Sequence, residues 1–418
     1  MNQPSVTLST FARGLTSETA FDVLAVAKRL KDRGKDVIEL QIGDSPFAST
    51  QSALAAGIRA INDHATHYCA SLGLSSFREA IAHNYSREFG IEVTAENVVV
   101  GPGAKVFEQF FCEAFLDPGD AVFIFSPHFP TYGPNVERRG AVPVYRALRQ
   151  ENHFRPDLND VERFLRTAPR AKAIFVNSPH NPTGGVATAE DLAGLTELIR
   201  GRNVAVFSDE PYCHMVWTGR HHSLLAQPGV LDQVVATYTF SKSYSMSGWR
   251  VGYAVTSRRV AEILGKMINT SLSCVTPIAQ LAGQAALEKD AAERDEIMQR
   301  FRLKVELLVG ELSRVPEIRV LMPAGTFYAF PDVSAICRRL GIVSHGLAMY
   351  LLEGADDGTG VACLGGECFG PAGQGFLRFS CAEPDDRLRR AVQFLAEAVT
   401  WSERVERYLA AHPQYRVK

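Results

Sequence analysis

The stretch that decides the reading of this chain is Thr239-Phe240-Ser241-Lys242-Ser243-Tyr244-Ser245-Met246-Ser247-Gly248-Trp249-Arg250-Val251-Gly252-Tyr253. It follows the apolar run Val234 to Tyr238, whose β-branched and aromatic content reads as a buried strand. The run empties into hydroxyls, one lysine, glycines and one arginine with no sustained period, and a second apolar segment, Val251 to Val255, follows. Lys242 has no nearby acid in sequence. If it is buried between those strands, its charged form is disfavoured and its amine becomes free to form a Schiff base. Alone, the residue reads as well as a solvated loop lysine, so the neighbouring segments have to choose.

Outward from this stretch, apolar strands alternate with helices. Val98–Val100 leads to a strongly apolar helix over Val106–Leu116, and Ala121–Phe125 is a buried strand. Strand 142–145 precedes helix 157–167, strand 172–176 precedes helix 188–200, and strand 203–208 precedes 234–238. Continuous apolar strands separated by helices predict an α/β fold: a mainly parallel sheet covered on both faces. Upstream, Glu18–Arg33 reads as a helix capped by Thr16 or Ser17 and stopped by Gly34, and Val37–Ile42 as a short strand. Gln51–Asn62 and Leu74–Phe89 read as amphipathic helices. Beyond Val255, helices at 258–269, 276–288 and 291–313 lead to a mixed α+β tail. That tail has strands at 317–321, 327–330, 359–363 and 376–380, and helices at 344–352 and 384–410. A composition shift near 290 sets the expected domains: residues 46–290 as the large domain, 291–418 as the small one, and 1–45 packing with the latter.

Of the 418 residues, 46% are hydrophobic and 22% charged, as in ordinary globular chains. A formal charge of −2 offers no field for nucleic acid or an anionic membrane surface, and no apolar run reaches the length of a membrane helix. The eight cysteines are scattered, none in C-x-x-C spacing, and no metal site is expected. With no secretory signal at the N-terminus, free thiols in a reducing cytoplasm are the expectation.

In open parallel sheets, functional groups gather where strands end. Five strand ends carry unusual chemistry. Gly101-Pro102-Gly103-Ala104-Lys105 opens a helix, whose first amides can hold a phosphate. Asn177-Ser178-Pro179-His180-Asn181-Pro182-Thr183-Gly184 is a polar loop pinned by prolines, and Ser208-Asp209-Glu210-Pro211-Tyr212 ends a buried strand on a carboxylate. Ser241-Lys242 with Arg250 is the fourth. The fifth is Phe376-Leu377-Arg378-Phe379-Ser380, an arginine planted in an apolar strand.

Together these elements resemble the aspartate aminotransferase family, the class I and II pyridoxal-phosphate enzymes. The resemblance runs from about Asp36 to Arg390. Asn181-Pro182-Thr183-Gly184, Asp209-Glu210-Pro211-Tyr212 and Ser241-Lys242 with Gly248-Trp249-Arg250-Val251-Gly252 carry it. It implies pyridoxal 5′-phosphate as cofactor, with Lys242 forming the Schiff base and then moving the substrate proton. Asp209 would face the ring nitrogen, and Asn181 and Tyr212 the ring's phenolic oxygen. The amides of Ala104 and Lys105, the Ser241 hydroxyl and Arg250 would hold the phosphate. Phe129 would stack on the ring, and Arg378, with Gly43 leaving room beside it, would clamp the substrate α-carboxylate. Tyr68 matches a tyrosine that reaches the neighbouring subunit's phosphate, implying a homodimer with shared sites.

Three departures lie toward the substrate side: Gly43-Asp44-Ser45-Pro46 with its proline one place late, Phe129 preceded by His128, and Gly365-Gly366 before Glu367-Cys368-Phe369-Gly370. They leave the amino-acid specificity open between acidic, aromatic and neutral substrates, with no second arginine recognisably placed for a distal carboxylate. The leading expectation is ping-pong transamination between an L-amino acid and a 2-oxo acid. A carbon–sulfur β-lyase or a specialised biosynthetic enzyme on the same fold is the alternative, and a non-catalytic cofactor-binding regulator a third.

Overall fold

A computed structural model describes residues 6–14 and 18–417. The strands in chain order are β1 (Asp36–Glu39), β2 (Val98–Gly101), β3 (Ala121–Ser126), β4 (Val142–Ala147), β5 (Ala171–Asn177) and β6 (Ala205–Asp209). They continue with β7 (Val234–Thr239), β8 (Gly252–Val255), β9 (Tyr328–Ala329), β10 (Thr359–Ala362), β11 (Leu364–Gly365) and β12 (Leu377–Ser380). Seven of them form one sheet in the order β2-β8-β7-β6-β5-β3-β4. The pairs from β7 through β4 are parallel, and β8 runs antiparallel to both β7 and β2. All of β2, β3, β6 and β8 is buried, as expected where helices cover both faces. The mainly parallel sheet is therefore present as expected.

The order places the C-terminal ends of β5, β6 and β7 side by side, with Asn177 opposite Asp209 and Asp209 opposite Thr237. Those ends are where the polar motifs begin. Two smaller sheets lie outside this one. In the first, β1 pairs with β10, joining the N-terminal region to the tail. In the second, β12 lies between β11 and β9 in antiparallel fashion. The long helix Ala291–Leu312 buries Ile297, Phe301, Val305, Leu308 and Leu312.

Several expected elements differ. The stretch after β7 is not irregular throughout: Phe240–Ser243 is a turn of helix, with Thr239 Oγ1 accepting from the Ser241 amide at 3.2 Å. Residues 317–321 form no ladder. Glu317 sits at φ 64° and Arg319 makes a single bridge to Asp332. The helix expected over 384–410 is two, Asp385–Ala398 and Ser402–Ala411. Thr400 Oγ1 donates to the Glu397 carbonyl at 2.7 Å and ends the first. The helix expected over 344–352 passes into a π turn at Tyr350. The first long helix starts at Thr19 with Glu18 in the cap position; Thr16 and Ser17 lie outside the described residues.

Candidate active site

Eleven of the twelve residues singled out above line one cavity of about 450 Å³: Gly43, Ala104, Lys105, Phe129, Asn181, Asp209, Tyr212, Ser241, Lys242, Arg250 and Arg378. The twelfth, Tyr68, is 88% exposed and does not line it.

Lys242 stands on the short helical turn after β7. Its Nζ donates to the Gly43 carbonyl at 2.5 Å and lies 5.7 Å from the Phe327 ring centroid. Burial pushes the amine down to about 8; Asp44 opposes the shift, while Arg378, Arg250 and Lys105 add to it. Asp209, at the end of β6, accepts from Tyr132 Oη at 2.5 Å and from Thr237 Oγ1 at 3.2 Å. Burial raises its carboxyl above the ordinary aspartate range, against those two hydrogen bonds. The adjacent Glu210 belongs to another network, accepting from Ser208, Tyr238 and His221, and does not border the cavity. Strand alternation separates the two acids.

Asn177 ties the ends of β5 and β6 together: its Nδ2 donates to the Asp209 carbonyl, and its Oδ1 accepts from the Asn181 amide, each at 2.8 Å. Asn181 Oδ1 in turn accepts from Arg378 Nη1 at 3.0 Å. Arg378 Nη2 donates to the Gln41 carbonyl, and its guanidinium lies 4.4 Å from the Tyr328 ring centroid. Its Nε is buried and has no partner among the described residues. A buried guanidinium with a donor to spare is a receptor for a carboxylate. Tyr212 Oη pairs with Tyr328 Oη at 3.0 Å. The space beside Gly43 belongs to that tyrosine, because a Cβ on Gly43 would stand 1.9 Å from Tyr328 Oη.

The helix Lys105–Phe115 opens on the amides of Ala104 and Lys105, which no earlier turn of the helix can pair. Ser241 Oγ lies 2.8 Å from Thr239 Oγ1, and Arg250 is anchored on the carbonyls of Ser247 and Pro102 at 2.7 and 3.0 Å. Gly103, at φ 89°, has no room for a Cβ, which would stand 2.7 Å from Arg250 Nη2. Amides, a hydroxyl pair and a guanidinium around a glycine make an oxyanion cradle. With the cradle, the buried Asp209 carboxyl and the Lys242 amine of lowered basicity all lining one cavity, the donor set fits pyridoxal phosphate.

Sequence reasoning missed Glu18, Glu108, Tyr132 and Thr237. Glu18 borders the cavity and pairs with the Lys105 ammonium, which lies 5.2 Å from the Phe129 ring centroid. Glu108 had a visible signal: it is the acid in the first turn of a helix that otherwise reads as apolar. Tyr132 had none, being one aromatic among many.

The family model for aminotransferase class I and II matches residues 35–395. A probable aspartate/prephenate aminotransferase of Aquifex aeolicus is 35% identical over 90% of this chain and 94% of its own length. An aspartate aminotransferase of Geobacillus stearothermophilus is 33% identical over 91% and 95%. Among solved structures, the aspartate aminotransferase of Thermus thermophilus with maleate has a TM-score of 0.87 at 31% identity, covering 94% of this chain and all of that one.

Proposed function

The chain belongs to the aminotransferase class I and II family, and on that premise we propose which residues of its cavity run the reaction and which substrate they take. It is a pyridoxal-phosphate-dependent transferase of amino groups between an amino acid and a 2-oxo acid. When bound, the cofactor supplies an aldehyde carbon for an amine and a ring that withdraws electrons from the substrate carbon.

Lys242 is the amine that would hold the cofactor, and its Nζ would carry the substrate proton; its depressed basicity suits both tasks. Asp209 keeps a proton at the ring nitrogen, and Tyr132 and Thr237 orient its two oxygens. Asn181 and Tyr212 serve the phenolic oxygen. Ala104, Lys105, Ser241 and Arg250 would hold the phosphate, and Phe129 would pack against the ring. Arg378 receives the α-carboxylate through donors that Asn181 and Gln41 hold in place. The observation that carries this reading is the convergence of Ala104 and Lys105, Phe129, Asn181, Asp209 and Tyr212, Ser241 to Arg250, and Arg378, six separate segments, on one cavity.

An acidic amino acid is the donor we favour. Lys105 extends its ammonium over Phe129 toward the cavity mouth, where a carboxylate of the chain itself, Glu18, meets it. A substrate carboxylate can take that place. The names of the Aquifex and Geobacillus relatives and the maleate on the Thermus enzyme point the same way. A donor panel tests this: Lys105→Met should lower kcat/KM for aspartate or glutamate about 10- to 100-fold and leave alanine within about threefold. Equal losses for both donor classes would sink the acidic reading.

The assembly we propose is a homodimer. Ile58, Ile61, Tyr68 and Leu272 are exposed large apolar residues. The Tyr68 loop and the helix carrying Leu272 are joined by Asn269 Nδ2 donating to Ser71 Oγ at 2.9 Å. A second copy covering this face would bring its own Tyr68 toward the cradle. Division near residues 45 and 290 and a cytoplasmic setting belong to the same reading; eight free cysteines suit a reducing compartment.

A further inference from the structure

Glu108, in the first turn of the helix Lys105–Phe115, has no part in the roles given above. It is 2% exposed and lines the catalytic cavity. Its Oε2 accepts from Thr131 Oγ1 and, at 3.5 Å, from Asn135 Nδ2. Its Oε1 has no hydrogen-bond partner among the described residues and is not one of the fully enclosed orphan atoms, so it opens on the cavity.

Among the described residues no cation forms an ion pair with this carboxyl. Lys105, one turn back on the same helix, pairs with Glu18 instead. A second buried acid, Asp209, lines the same cavity, and its Oδ2 already accepts from Tyr132 Oη. Two buried carboxyls that interact do not both ionise, and the proton goes to the one with an oxygen free to carry it. Both oxygens of Asp209 accept, Oδ2 from Tyr132 and Oδ1 from Thr237. Thr131 and Asn135 both address Oε2 of Glu108, which leaves Oε1 as the atom that carries the hydrogen.

We propose that Glu108 is a further cofactor-binding residue that works as a neutral acid, presenting Oε1–H into the cavity as a hydrogen-bond donor while Asp209 remains the charged member of the pair. The groups that bear on its protonation are Asp209 on β6, Lys105 and Cys112 on its own helix, and Tyr132 on the neighbouring helix. Burial first, and then the Asp209 charge, push the Glu108 carboxyl up to about 8, with Thr131, Lys105 and Asn135 opposing. A neutral acid donates where a carboxylate only accepts, so its ionisation in mild alkali would remove the donor. This inference rests on the cofactor reading above.

Infrared spectroscopy of the loaded enzyme, grown with carboxyl-labelled ¹³C-glutamate, tests the protonation state directly. At about pH 7 a protonated-carboxyl band should be present, should shift with the label, and should vanish by about pH 10. It should be missing from Glu108→Gln. A band that ignores the glutamate label, persists in Glu108→Gln, or is absent from the wild type overturns the inference. The donor is tested by equilibrium binding of pyridoxal phosphate, followed by the absorbance of the bound form. Glu108→Leu should bind about tenfold more weakly, and Glu108→Gln, which keeps a donor, within about threefold of wild type. Equal affinity in wild type and Glu108→Leu overturns it. Failure of the wild-type chain to take up cofactor at all would instead overturn the cofactor reading, and this inference with it.

Discussion

At the scale of single residues, burial sets the chemistry of the charged groups. If Lys242 is the Schiff-base amine proposed above, capture of pyridoxal phosphate by the cofactor-free protein should accelerate with pH and level off above about 8. Stopped-flow absorbance checks this; a plateau delayed to the ordinary lysine range would mean that the amine is not desolvated as described. Glu88 shows the opposite balance. Burial alone would raise its carboxyl, but the hydrogen bond from His214 and the charges of His214 and Arg294 bring it down to about 2. Its folded value lies below its unfolded one, so the stabilisation is present above about pH 4.5 and is lost as pH falls toward about 2. Wild type should therefore exceed Glu88→Gln by about 3 kcal/mol at neutral pH, with the gap closing through that window in denaturant titrations. A gap that stays constant with pH would contradict it.

At the scale of elements, the loop after β1 and the strand β9 are built around each other. Gly43→Ala would drive a methyl into Tyr328 Oη, 1.9 Å away, and the tyrosine in turn holds Tyr212. An overpacking cost of about 1–3 kcal/mol should appear as a roughly 10- to 100-fold fall in kcat/KM. Adding Tyr328→Phe removes the nearest atom but leaves a ring carbon at 2.9 Å, so recovery should be partial. Purely additive losses in the double variant would show that the two sites are independent. The strand ends were legible because apolar runs give way abruptly to Asn177, Asp209 and Thr239, the polar residues that close β5, β6 and β7. What was not legible depends on distant partners. Tyr132 acquires meaning only when its hydroxyl reaches Asp209 at the end of β6, and Glu18 only when it meets Lys105. The failed strand at 317–321 has the same cause: its apolar content is real, but only Asp332 pairs with it. The break at Thr400 turns on one hydroxyl that an amphipathic period does not register.

At the scale of the whole molecule, the proposed homodimer would give Tyr68, exposed and outside its own chain's cavity, a place in the partner subunit's site. Mixing inactive Tyr68→Ala chains with inactive Lys242→Ala chains should then restore activity. A mixed dimer pairs Lys242 of one chain with Tyr68 of the other, giving one intact site in two. No recovery after subunit exchange would place Tyr68 outside any shared site. The central claim is that the cavity, with Lys242, moves an amino group and releases the carbon skeleton as a 2-oxo acid. The most direct measurement is a single turnover of the loaded enzyme with an acidic amino acid and no acceptor. One equivalent of 2-oxo acid per chain, no ammonia in solution, and no product from Lys242→Ala are the predicted results. Free ammonia in step with the oxo acid, or an active Lys242→Ala enzyme, would contradict the account.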